Sequence, residues 1–365
     1  MNNKKFALVL SGGGFKGAFQ VGALNYLLQN PLEIDGETVT LDKFDIVTGV
    51  SVGALNGAMI ATRQLDRLNH LWFEEIANNG PGIIYTSRYL KNGKPDQKRI
   101  MDDLVPDLNL WQKLGLIFSK KKRQQVLEGI FSNLSTLTSL ADNRPLAQTL
   151  KQLLTLDMFD GVTYKTGYVS LADGQYFSDN ASDFDTLDEL VNAIVASTTM
   201  PIVWSPVTNI RTRQGEIRQA AIDGGVRNVT PLKDAIQEIN KDEEHSDYHI
   251  IIINCHPKEL HPFDKQLNIV NIASRSLIDI TLAEIFQNDV QHFLLVNKIL
   301  KKLQQPSIDL EGKTYKSFKV KIIEPDASLG GPLDASPQVL LDRRDQGFAM
   351  ARDQFSEARR HDWNV

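Results

Sequence analysis

The stretch Phe44-Asp45-Ile46-Val47-Thr48-Gly49-Val50-Ser51-Val52-Gly53-Ala54-Leu55 decides how this chain is read. Phe44–Thr48 is a short apolar run that predicts a buried strand, Gly49–Gly53 a tight turn, and Ala54 onward a helix reaching about Glu75. A strand, a turn and a helix around one serine match the G-x-S-x-G nucleophile elbow. Small residues flank the serine because it stands in a strained turn where larger side chains would collide with the neighbouring strand and helix. The turn also sets Ser51 at a helix N-terminus, where the dipole and unpaired N–H groups favour developing negative charge.

The same plan lies just upstream. Phe6–Leu10 predicts a strand buried on both faces, Ser11–Gly17 (SGGGFKG) a glycine loop, and Ala18–Leu28 a helix. Two strand–turn–helix units in the first eighty residues imply an α/β fold with a parallel sheet. Downstream, Tyr164–Leu171 and Gln175–Ser178 flank the hairpin signal Asp173-Gly174. Leu187–Ala196 reads as a helix, Ile217–Ile222 and Tyr248–Asn254 as strands, Asn271–Leu303 as a long helix, Tyr315–Ile323 as a strand and Pro337–Arg359 as a final helix. No repeat or linker divides the chain, so residues 1–365 are expected to form one catalytic domain. Residues 78–144 read as an insertion or cap, and 301–365 as a strand and helix packed on the core.

Composition narrows the function. The 365 residues carry 40 Lys and Arg against 45 Asp and Glu, a net charge of -5, which gives no overall footprint for nucleic acid. A single cysteine, Cys255, excludes an intramolecular disulfide and suits a reducing compartment. The apolar run Phe6–Leu10 is too short for a secretory signal, and no apolar stretch is long enough to span a bilayer. A cytoplasmic protein is expected, peripheral at a membrane. The apolar Leu114–Phe118 beside Lys120, Lys121, Lys122 and Arg123 suits docking on an anionic bilayer, or else is a solvated helix end beside a buried turn.

Two readings of the glycine loop compete. Gly12-x-Gly14-x-x-Gly17 fits a dinucleotide fingerprint, but that motif wants an acidic residue ending the next strand, whereas Glu33 and Asp35 fall in a polar loop ahead of it. Alternatively, successive glycines expose N–H groups that form an oxyanion hole, with Lys16 nearby to fix the loop or add charge. A serine nucleophile also needs a base. Asp223 with His245, His256 or His261 would satisfy a hydrolase triad, yet no histidine has a persuasive setting. Asp223, in Asp-Gly-Gly at a strand end, has room for a close partner.

The set GGGFKG (12–17), GVSVG (49–53), ASTTMPIVWSPV (196–207) and DGG (223–225), in this order, resembles the patatin-like phospholipase family. Asn143-Arg144-Pro145-Leu146 also resembles a segment preceding a family helix, and motif coverage spans about residues 5 to 230. The resemblance implies a three-layer fold with a central, mostly parallel sheet flanked by helices. It implies Gly12, Gly13 and Gly14 as the oxyanion hole, Ser51 as nucleophile and Asp223 as base of a Ser–Asp dyad without histidine. Lys16, where many members carry arginine, and Gly49, Gly53, Gly224 and Gly225 are supporting residues. The implied activity is hydrolysis of phospholipids or related acyl lipids through an acyl-enzyme, with no metal, calcium or other cofactor and a transient membrane surface as partner. A nucleotide-binding protein and a non-catalytic lipid-binding member are the alternatives.

Overall fold

The isoleucine run 250–253 and the segment Phe6–Leu10 lie side by side in the parallel part of an eight-stranded sheet. The computed structural model describes residues 4–91, 94–96, 99, 139–242, 247–257, 262, 272, 275–310, 313–359 and 363. The sheet comprises β1 (Lys4–Leu10), β2 (Ile46–Val50), β3 (Thr163–Ser170), β4 (Tyr176–Asn180), β5 (Val207–Arg211), β6 (Ile217–Asp223), β7 (Asp247–Ile253) and β8 (Lys319–Ile323). Strands β8, β7, β1, β2 and β3 are parallel neighbours in that order. The β4 and β6 strands run antiparallel to β3, and β5 antiparallel to β6.

Because alternate strand residues face opposite sides, an unbroken apolar run feeds two cores at once. Leu8, Leu10, Ile251 and Ile253 enter the larger core, which also holds apolar residues of α1 (Gly17–Gln29), α2 (Val52–Ala61), α3 (Arg144–Leu153) and α4 (Leu187–Thr198). Ala7, Val9, Ile250 and Ile252 enter a second core with Leu232 and Ala235 of α5 (Leu232–Ile239) and Phe293 and Leu294 of α6 (Thr281–Leu303). The expected mixed α/β architecture, a mostly parallel sheet with helices on both faces, is therefore present. The last helix, α7 (Pro337–Gln354), crosses α1 at backbone contact: a Cβ on Gly22 would lie 1.8 Å from the Arg344 carbonyl oxygen.

Three expected elements differ. The helix after the serine turn stops at Ala61, where Arg63 takes a left-handed φ of 57° and Gln64 donates its side-chain amide to the Leu153 carbonyl at 3.0 Å. It resumes over Leu65–His70 and a π-helical Leu71–Ile76. Apolar periodicity runs through such a one-residue break without marking it. The expected strand Tyr315–Ile323 is two strands, Lys313–Lys316 in a hairpin with Ser307–Leu310, and β8 in the main sheet. Asn297 brackets the Phe318 backbone between them, accepting its N–H at 3.2 Å and donating to its carbonyl at 2.9 Å. Val207–Arg211 was expected as no element and is an edge strand. Among the described residues no helix is long and apolar enough to cross a membrane.

Candidate active site

Strands β2 and β6 converge on β3 from opposite directions. Val50 ends opposite Gly167 and Asp223 ends opposite Tyr168, the next residue along. That register brings Ser51 and Asp223 together although 171 residues separate them in the chain. Ser51 has φ 57° and ψ −128°, a conformation L-residues seldom adopt. The turn admits it because a Cβ on Gly49 would lie 2.2 Å from the Gly53 carbonyl oxygen, and one on Gly53 would lie 2.3 Å from the Leu10 carbonyl oxygen. The Ser51 N–H donates to Ser197 Oγ at 2.9 Å, and that hydroxyl donates to the Gly167 carbonyl at 2.6 Å.

The Asp223 carboxylate accepts the Gly225 N–H at 2.7 Å, while its own N–H donates to the Thr199 carbonyl at 2.9 Å. Burial pushes its pKa up to about 6, and the nearby Ser51 hydroxyl and the Gly225 N–H restrain the rise. Gly224 packs on the Gly167 carbonyl, where a Cβ would lie 2.5 Å from the oxygen. Among the described residues no histidine bonds Ser51 or Asp223. His256 is buried, close to Gly12 and Lys16, and burial together with the Lys16 charge lowers its pKa to about 3. His245 and His261 lie outside the described residues.

The glycine loop lies against the serine turn, a Cβ on Gly12 falling 3.2 Å from Ser51 Cβ. Of the three expected N–H donors, that of Gly12 is already committed to the Val229 carbonyl at 2.9 Å. Among the described residues, those of Gly13 and Gly14 have no partner. Lys16 is buried rather than displayed, and its backbone carbonyl accepts the Cys255 thiol at 3.6 Å. Burial pushes that thiol's pKa up to about 12, leaving it unreactive near neutrality.

Ser51 and Gly14 line a cavity whose other walls are nearly all apolar: Phe15, Val52, Leu55, Trp72, Ile76, Ile84, Leu146, Met200, Trp204 and Leu333, with Asn143 and Thr198 as polar exceptions. Behind the wall, Trp72 Nε1 donates to Asn56 Oδ1 at 3.0 Å. Asn56 donates to Gln20 Oε1 at 2.9 Å and Gln20 to the Ser11 carbonyl at 2.8 Å, so one buried chain of bonds ties a cavity side chain to the glycine loop. Sequence reasoning missed Ser197 and Thr199, although both fall in the quoted 196–207 segment, and nothing in the sequence marks Leu333.

Other expected features sit elsewhere. Asp35 bonds His249 at 2.9 Å and Lys319 at 2.7 Å, at the opening residues of β7 and β8. That is the opposite end of the sheet from the glycine loop, too far to serve a nucleotide there. The cluster Asp35, Asp247 and His249 has metal-ligand spacing, but Lys319 bonds both carboxylates and already supplies a cation. Leu114–Phe118 and Lys120, Lys121, Lys122 and Arg123 lie outside the described residues.

Residues 8–236 match the family model of the patatin-like phospholipases. Patatin-17 of Solanum cardiophyllum and patatin-T5 of Solanum tuberosum are each 27% identical over 227 residues, 59% of this chain and 55% of theirs. The chain thus spans about half the length of the curated relatives it matches. A search of solved structures returns VipD from Legionella pneumophila at 15% identity and a TM-score of 0.35, covering 96% of this chain and 66% of that one. With the family match extending over more than half of its residues, the chain belongs to the patatin-like phospholipase family.

Proposed function

We propose that the chain hydrolyses carboxylic ester bonds of phospholipids or related acyl lipids, with Ser51 as nucleophile and Asp223 as general base. The observation that carries this is the register that brings Ser51, at the wall of an apolar cavity, beside the buried Asp223 carboxylate. The N–H groups of Gly13 and Gly14, unpartnered among the described residues, belong to the loop packed on the serine turn. At the family level the activity is lipid acyl hydrolysis, and the cavity chemistry suits an acyl chain.

In the proposed reaction Ser51 Oγ attacks the ester carbonyl carbon while its proton passes to Asp223. The negative oxygen of the tetrahedral intermediate accepts hydrogen bonds from Gly13 and Gly14, and the intermediate collapses as the leaving alkoxide takes the proton from Asp223. Water, deprotonated by the same carboxylate, then attacks the acyl-enzyme carbonyl, and Ser51 Oγ leaves with that proton as the fatty acid is freed. Asp223 is an effective base because burial raises its pKa, and Gly49, Gly53, Gly224 and Gly225 let the two strand ends approach. Gly12 serves close packing rather than donation. No step runs through a metal ion, so chelators should leave the rate unchanged. The substrate is reached by transient binding at a lipid surface.

The test is labelling with a fluorophosphonate. Wild type is expected to label at Ser51 and to hydrolyse a lipid panel read by mass spectrometry, whereas Ser51→Ala should do neither. Hydrolysis that survives at the wild-type rate in Ser51→Ala would overturn the reading. The rate should climb with pH through about 6, as Asp223 loses its proton, and fall about tenfold per pH unit below that. A profile flat between pH 4.5 and 7.5 would remove Asp223 as the base.

A further inference from the structure

We propose that the C-terminal segment Leu329–Arg343, which lies outside the family match, is a working part of this site. Arg343 is its positioning residue, holding the glycine loop through Pro332. The inference rests on the reading of Gly13 and Gly14 as oxyanion donors.

Arg343 stands in the second turn of α7 with 2% of its surface exposed. Its guanidinium donates to three carbonyls of a single loop: Leu329 at 2.8 Å, Asp334 at 2.8 Å and Gly331 at 3.0 Å. A planar fork of five donors suits this task, which a lysine's point charge cannot reproduce. Burying a guanidinium is costly even with the Asp334 charge nearby, and that cost needs a return.

The loop it shapes is the one that touches the glycine loop. The Pro332 carbonyl accepts the Phe15 N–H at 2.7 Å, and Leu333 lines the cavity with Ser51. Gly14, at φ +58°, lies so close that a Cβ there would be 2.4 Å from the Pro332 oxygen. The far end of the glycine loop is set by the same helix, because α1 begins at Gly17 and crosses α7 backbone to backbone. The middle of the Gly13–Lys16 turn and its Gly17 end therefore take their position from α7 and its preceding loop. Losing an oxyanion donor costs on the order of 100- to 1000-fold in rate, and a misplacement of about 1 Å about 100-fold. A loosened rather than deleted donor pair should cost roughly 10- to 100-fold.

The experiment uses the full chain, with Arg343→Met and Arg343→Lys compared by p-nitrophenyl butyrate hydrolysis, fluorophosphonate labelling and amide hydrogen exchange. Arg343→Met should label the same final fraction of Ser51 as wild type, but roughly 10- to 100-fold more slowly. Its kcat should fall in step while KM and the pH midpoint near 6 stay put, and Arg343→Lys should recover part of the loss. A lower final fraction labelled at the wild-type rate would mean a structural role alone and overturn the proposal, as would wild-type rates in folded Arg343→Met. Should Arg343→Met fail to fold, the labelling rate of Arg343→Lys decides on the same terms. If wild-type Ser51 takes no label, the reading of the site falls, and the Phe15 amide still tests the clamp. Its exchange should quicken at least tenfold in the variant, and unchanged protection would overturn the clamp.

Discussion

The serine turn and the glycine loop look alike on paper, each a glycine-rich link between a strand and a helix, yet they are held in different ways. At the serine turn the tightest constraints are backbone against backbone: Gly49 against Gly53 within the turn and Gly53 against Leu10 of β1, with the Ser197 hydroxyl bridging Ser51 to Gly167. At the glycine loop they come from distant parts of the chain: the Val229 carbonyl on Gly12, the Cys255 side chain over Gly13 and the Pro332 carbonyl on Phe15. The serine turn closes largely on backbone, Gly49 against Gly53 above all, whereas the glycine loop has much of its geometry imposed from afar. Two walls of one cavity can thus be held by different means.

That contrast can be broken or sharpened by substitution, and the largest effect is expected where backbone meets backbone. Gly53→Ala should destabilise the fold by about 4 kcal/mol or more in chemical denaturation, with no single side-chain change able to rescue it.

Next is the residue opposite the serine turn. The folded pKa of Asp223 lies above its unfolded value, so its contribution to stability is whole below about pH 4 and is lost as pH rises through about 6. Asp223→Asn should therefore remove activity yet stabilise the fold at pH 8, by up to about 3 kcal/mol, with the gain gone below about pH 4. Equal stabilisation at both pH values would exclude the buried charge as its cause.

Gly13→Ala probes the imposed turn. A Cβ there meets Cys255 Cβ at 2.6 Å and Sγ at 3.1 Å, which are side-chain atoms. A cost of about 2 kcal/mol is expected, of which at least about 1 kcal/mol should return in the double variant Gly13→Ala/Cys255→Gly but not with Cys255→Ala. A cycle without coupling would erase the distinction between the two turns. The smallest effect is at the proposed nucleophile: Ser51→Gly should raise stability by about 1 kcal/mol in thermal denaturation by relieving its positive φ.

Legibility in the sequence follows the same division. Phe6–Leu10, Ile250–Ile253 and the serine turn were readable because their signals, continuous apolar runs and small residues around a serine, are local. The nearness of Asp223 to Ser51 was reachable only as a pairing, since Asp-Gly-Gly alone is an ordinary turn. What stayed hidden depends on approach in space. The Gly12 N–H spends itself on Val229, Lys16 is buried rather than presented, and Leu333 enters the cavity from near the end of the chain. Arg63 and Asn297 illustrate the same limit for elements: one left-handed residue and one bracketing amide split runs that periodicity reads as continuous.

The convergence of β2 and β6 on neighbouring residues of β3 also sets an order of events in synthesis. Ser51 leaves the ribosome long before Asp223, and the Pro332 carbonyl that steadies the glycine loop comes later still. On the proposed mechanism a nascent chain holds a nucleophile with neither base nor finished oxyanion hole. Domains assemble as units once their chain is available, so activity should switch on late and abruptly. Such a chain would be harmless to lipid for most of its own making, with no propeptide or inhibitor needed to keep it so.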